Sequence, residues 1–123
     1  MSSRPILVVD DNPTNAKLLR VILEREGYEV RVATDADAAL SVLSAELASL
    51  ILMDIHLPGI SGLELTRRLK ADARFTNVPI VAVTANAMKG DEELARAAGC
   101  DDYITKPIEL ESFLRKVEER VLR

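Results

Sequence analysis

The sequence predicts an α/β domain: five parallel strands alternating with five helices, which cover both faces of a single doubly wound sheet. Three observations carry that prediction. Short, almost purely apolar runs recur at Ile6-Leu7-Val8-Val9, Leu50-Ile51-Leu52-Met53 and Ile80-Val81-Ala82-Val83, as strands buried on both faces require. Between them lie stretches whose apolar residues recur at helical spacing. The resulting strand–helix alternation, with no repeat, linker or low-complexity tail, argues for right-handed crossovers in one sheet.

In chain order, Pro5 opens the first strand, where a missing N–H is tolerated. Asp10, Asp11 and Asn12 follow it, and Pro13 suits the first turn of a helix that Asn12 can cap. Leu18, Leu19, Ile22 and Leu23 form its apolar face, and Gly27 is placed to end it. Tyr28 to Ala33 alternates apolar with charged residues, as expected of a half-exposed strand. Thr34 or Asp35 then caps a short helix to about Ser44. The central strand follows at 50–53, ending on Asp54, with Pro58, Gly59 and Gly62 marking the loop beyond. Leu63, Leu65 and Leu69 stripe a third helix, whose Arg67, Arg68 and Lys70 read as a solvated face. Thr84 closes the fourth strand. A loop spans Ala85 to Gly90, and an Ala-rich helix runs from Asp91 to Ala98, stopped by Gly99. Asp102-Tyr103-Ile104-Thr105 is the fifth strand, leading to Lys106 and Pro107. Leu110, Phe113, Leu114, Val117 and Val121 stripe the last helix.

Composition sets limits on function. A chain of 123 residues, 48% hydrophobic and 29% charged, is one globular domain, residues 1–123, with a real core. A net charge of −4 without a basic patch argues against direct nucleic-acid binding. One cysteine, Cys100, excludes an internal disulfide and fits a reducing compartment; it reads as a small packing residue. There is no signal-peptide core at the N-terminus and no apolar run long enough to span a bilayer, so the expected setting is cytoplasmic.

The polar residues that end the strands are Asp10 and Asp11, Asp54, Thr84 and Lys106. In a doubly wound parallel sheet these ends share one edge, where such folds place their ligands. Three carboxylates gathered there repel one another, at roughly 4 kcal/mol per pair for a ~4 Å separation and an effective dielectric near 20. Either protonation or a bound cation relieves this. An oxygen-rich, sulfur-free, water-exposed site suits Mg²⁺, with Mn²⁺ as the alternative, and Mg²⁺ typically brings a phosphate with it. Lys106 and Thr84 suit the oxygens of a phosphoryl group, and Asp54 is then the natural nucleophile.

Those residues, in that order and on those elements, resemble the response-regulator receiver domains of two-component signalling along the whole chain. The acidic pair is Asp10-Asp11; the phosphoacceptor is Asp54, within Met53-Asp54-Ile55-His56-Leu57-Pro58; Thr84 is followed by Ala85; and Lys106 precedes Pro107. The segments Asp11 to Asn15 and Thr84 to Glu92 look most like stand-alone regulators of the DivK type and the receivers of hybrid kinases. The resemblance implies a flavodoxin-like fold with strand order 2-1-3-4-5. It also implies phosphoryl transfer to Asp54 from a histidine kinase or histidine phosphotransfer protein, rather than turnover of a free substrate. It assigns the metal to Asp10, Asp11, Asp54 and the backbone carbonyl of His56, with Asp10 acting mostly through water. Thr84 and Tyr103 become switch residues, and His56 and Asn86 tune the lifetime of the phosphoryl group. The output is a remodelled surface of the fourth helix, fifth strand and fifth helix, read by a protein partner.

Blander readings compete. A strand-ending aspartate commonly only caps the next helix, a lone lysine is commonly solvated, and a tyrosine in a strand is more often packing than a switch. The convergence of all these residues on one edge outweighs those readings. Three functional rivals also weaken on inspection. An aspartyl-nucleophile phosphohydrolase wants a second acid where this chain has His56. A mononucleotide binder wants a Ser/Thr/Gly-rich loop where it has Asp10-Asp11-Asn12. A degenerate docking module would not need the full residue set.

Overall fold

The computed structural model describes residues 4–84, 90–105 and 107–122. Its strands are β1 (Ile6–Val9), β2 (Val30–Ala33), β3 (Leu50–Asp54), β4 (Ile80–Thr84) and β5 (Asp102–Thr105). Its helices are α1 (Pro13–Arg25), α2 (Ala36–Ala45), α3 (Gly62–Ala71), α4 (Asp91–Ala98) and α5 (Leu110–Arg120). The strands form one sheet in the order β2-β1-β3-β4-β5, every neighbouring pair parallel, as the sequence predicts.

Strand alternation sorts the core into two layers. Leu7, Val9, Ile51, Met53, Ile80, Ala82 and Tyr103 pack on one face, with side chains of α2, α3 and α4. Ile6, Val8, Leu50, Leu52, Val81, Val83 and Ile104 pack on the other, with side chains of α1 and α5. Each fully buried aliphatic side chain contributes about 1.5–3 kcal/mol relative to exposure. A one-residue slip of β3 would exchange Met53, wholly buried, for the carboxylate of Asp54. Burial therefore fixes where each strand ends, and with it the position of each strand-ending polar group.

The helix starts obey local rules. Asn12 Oδ1 accepts the N–H groups of Thr14 and Asn15, Asp35 accepts that of Ala38, and Ser61 that of Glu64. Asp35, not Thr34, is thus the cap of α2.

Three details differ from expectation. β2 begins at Val30 rather than Tyr28, because Tyr28 N–H donates to the Leu23 carbonyl and so still belongs to the turn that closes α1. That turn needs Gly27, at φ 91°. Leu18 and Leu110, expected on core stripes, are exposed; with Leu19, Ile22, Pro107 and Ile108 they line an apolar groove between α1 and the segment entering α5. The core-facing arc of α1 is narrower than four leucine-type residues, and Leu19 and Leu23 fill it. Among the described residues, no helix is long and apolar enough to cross a membrane.

Candidate functional site

The C-terminal ends of β1 and β3 meet through paired neighbours Val9 and Met53. Just beyond them one carboxylate oxygen from each of Asp10, Asp11 and Asp54 lies within 4.8 Å of the others. Asp10 is 2% exposed, Asp54 half-buried and Asp11 exposed, so the group forms a graded pocket rather than a surface patch. Local backbone chemistry orients two of the three. Asp10 Oδ1 accepts the Asn12 N–H at 2.9 Å, and Asn12 in turn caps α1. Asp54 Oδ1 accepts the His56 N–H at 2.9 Å, which fixes the first turn of the loop leaving β3.

Gly62 shapes the other wall. A Cβ there would stand 2.1 Å from the Asp54 carbonyl oxygen and 2.8 Å from Ile55 Cα, so only glycine lets α3 start this close to β3. The Gly62 N–H donates to the Ile55 carbonyl at 3.3 Å across the same contact.

Repulsion between two carboxylates 4.8 Å apart runs from about 1 kcal/mol in bulk water to about 3.5 kcal/mol at an effective dielectric of 20. With Asp10 buried, its pairs lie toward the upper figure. An all-oxygen donor set of this spacing, open on the Asp11 side, fits a hard divalent cation that keeps some of its waters.

Thr84 ends β4 wholly buried, in register with Thr105 of β5. Tyr103, two residues before Thr105, is 9% exposed, its ring in the layer that contains Ala82, Ala95 and Cys100. Burial pushes its phenol pKa up, as do the charges of Asp91 and Glu92 at the start of α4, while a hydrogen bond with the Thr105 side chain pulls it down. His56 is exposed at the pocket's edge, its Nε2 3.6 Å from Asp91 Oδ2. Lys106 and Asn86, predicted to complete the site and to tune it, lie outside the described residues, as does most of the loop expected at Ala85 to Gly90.

Sequence reasoning misplaced or missed three charged residues. Lys70 does not belong with the solvated Arg67 and Arg68. Its Nζ donates to the carbonyls of Val78 (2.9 Å) and Thr76 (3.4 Å) and to Asp101 Oδ2 (3.0 Å), tying α3 to the entries of β4 and β5. Asp102, an acid inside a strand and 9% exposed, accepts from the Tyr103 N–H and from Lys116 and Arg120 of α5, with Arg96 of α4 3.9 Å away. Burial works against its charge, yet the Tyr103 N–H and the Lys116 and Arg120 cations prevail and hold its carboxyl below the ordinary range. An acid in a β-rich apolar run was the available signal. Asp91 gave no such signal, because an acid opening a helix is ordinary. Cys100 is buried as expected, its Sγ 3.9 Å from Thr66 Oγ1.

Comparison with known proteins agrees with this geometry. The family model described as the response regulator receiver domain matches residues 6–118. The polar-differentiation response regulator DivK of Brucella ovis is 43% identical over 116 residues, covering 94% of each chain, and DivK of Brucella anthropi is 44% identical over 115 residues, again covering 94% of each. Among solved structures, a protein from Chloroflexus aurantiacus superposes with a TM-score of 0.94 at 31% identity, over 99% of this chain and 100% of its own. The receiver domain of the sensor histidine kinase PA1611 from Pseudomonas aeruginosa superposes with a TM-score of 0.88 at 34% identity, over 97% of this chain and 98% of its own; it is described with a magnesium ion coordinated in the active-site cleft.

Proposed function

The chain belongs to the response regulator receiver domain family, and from that premise we propose that it accepts a phosphoryl group on Asp54 from a phosphohistidine of a histidine kinase or phosphotransfer protein. The single observation that carries this is the convergence of Asp10, Asp11 and Asp54 oxygens within 4.8 Å at the C-terminal edge of the sheet. A pocket of three carboxylates is costly to maintain unless a cation joins it, and one member is then placed to be a nucleophile.

In the step itself, an Asp54 carboxylate oxygen attacks phosphorus, the donor's N–P bond breaks as the O–P bond forms, and the released imidazole takes a proton from solvent. The His56 N–H donates to Asp54 Oδ1 and so helps hold the carboxylate in one orientation for attack. Asp10, Asp11, Asp54 and the His56 carbonyl are the groups that would hold Mg²⁺ or Mn²⁺. When bound, the cation supplies charge neutralisation for the carboxylates and the transferring group. Thr84 offers a hydroxyl donor from the adjacent strand end, and Lys106 a cation, to the phosphoryl oxygens. The apolar groove of Leu18, Ile22, Pro107 and Leu110 opens at this same edge and suits a protein donor rather than a small metabolite.

The signal then passes to protein partners through α4, β5 and α5, whose shared groove is lined by Glu92, Arg96, Tyr103, Glu109 and Lys116. We assign the chain no turnover of a free substrate, only its own phosphorylation and dephosphorylation, in the cytoplasm. The test is intact mass after incubation with Mg²⁺ and acetyl phosphate, for wild type and Asp54→Asn. A one-phosphoryl increment lost in the variant supports the assignment. Equal increments in both proteins, or none in either together with no Mg²⁺ binding, would overturn it.

A further inference from the structure

We propose that Asp91, the first residue of α4, is a positioning residue that holds the His56 imidazole beside Asp54 and so couples the placement of α4 to the lifetime of the phosphoryl group. The inference rests on Asp54 being the phosphoacceptor.

Two features single Asp91 out. Its Oδ2 is buried from solvent and has no hydrogen-bond partner among the described residues, which is costly for a carboxylate oxygen. The group that faces it is His56 Nε2 at 3.6 Å. A ring carrying its proton on Nε2, neutral or charged, presents that proton to the carboxylate. The distance is slightly long for a hydrogen bond, and a small movement of either partner makes or breaks one.

The connection runs further at both ends. The His56 N–H is bonded to Asp54 Oδ1, so backbone and ring of one residue link the phosphoacceptor to α4. The chain from Asp54 through His56 to Asp91 runs from the end of β3 to the helix that follows β4, on the side of Asp54 away from β1 and the acidic pair. Asp91 also lies near enough to the Tyr103 phenol for its charge to disfavour ionisation there. One carboxylate thus senses the tuning residue and the switch residue together. A shift of α4 that carries Asp91 away releases the ring and opens that side of Asp54 to water, and anchoring α4 closes it. This makes α4, and any partner bound to it, a determinant of how long the phosphoryl group survives.

The test uses His56→Gln, Asp91→Asn, the double variant, and Glu93→Gln, which removes an exposed acid from the same first turn. Each protein is phosphorylated with acetyl phosphate and Mg²⁺, the donor is removed, and decay is followed by intact mass. Decay about three- to tenfold faster in each single variant is expected, with the double variant no faster than His56→Gln. Because the chain has one histidine, its ring nitrogen NMR signals are unambiguous, and they should shift in Asp91→Asn but not in Glu93→Gln. Rates that multiply in the double variant, an equal effect of Glu93→Gln, or unchanged ring signals in Asp91→Asn would overturn the proposal. No phosphoryl increment in any protein would count against Asp54 as acceptor instead, and the ring spectra would then decide the positioning by themselves.

Discussion

Gly62→Ala perturbs the contact on which the geometry of Asp54 depends. The new Cβ would meet the Asp54 carbonyl oxygen at 2.1 Å, where real Cβ atoms essentially never come under 3.0 Å, so α3 and β3 must part by about 0.9 Å. Neither side yields cheaply: β3 is hydrogen-bonded on both edges, and Leu65 and Leu69 anchor α3 in the core. Alanine's better helix propensity returns at most about 1 kcal/mol, and less at a first-turn position. Overpacking of this kind costs about 1–3 kcal/mol or more, so the net effect is a loss of about 1–2 kcal/mol. For a domain of 123 residues that is a fall in Tm of about 3–10 °C. Urea unfolding followed by far-ultraviolet circular dichroism measures it, and phosphorylation by acetyl phosphate should slow in the same variant because Asp54 moves with its carbonyl. Gly59→Ala is the control: it sits at φ 71° in open space, so it carries left-handed backbone strain of about 1–2 kcal/mol without touching Asp54. An unfolding midpoint for Gly62→Ala equal to wild type, with phosphorylation intact, would refute the packing argument.

Two further predictions concern charge. Asp11→Asn removes one exposed member of the carboxylate group; without divalent cations stability should hold or rise by up to about 1 kcal/mol, while the Tm gain on adding Mg²⁺ should shrink well below that of wild type. An undiminished gain would take Asp11 out of the cation site. Asp102→Asn should cost about 1–2 kcal/mol near neutrality, toward the low end for a buried pair because Lys116 and Arg120 keep partial access to water. The folded pKa of Asp102 lies below its unfolded value, so its stabilisation is full above about pH 4 and is lost as pH falls through the depressed folded value. The gap between wild type and variant in urea midpoint should therefore narrow from pH 7 to pH 3, and a constant gap would refute the assignment.

The sequence by itself determined the elements, their order and the edge on which chemistry gathers. Those are set by local periodicity and by the handedness of crossovers: an apolar run ending in Asp54 must stop being buried there, and Asn12 caps α1 through its nearest neighbours. The family was legible for the same reason, since its motif residues sit at strand ends whose positions burial fixes. What depends on residues distant in the chain was decided only by tertiary structure. Lys70 reads as one more cation on a polar helix face until Val78 and Asp101 are brought beneath it, 8 and 31 positions away. Leu18 reads as core until Leu19 and Leu23 use up the space α1 can bury. Asp102 reads as a loose strand end until α5 brings Lys116 and Arg120 to it. Asp91, which carries no local mark, gains its meaning from His56 on another loop. Periodicity records which side of an element is covered, but the partner of a charged side chain is chosen by how the elements pack, which no local pattern encodes.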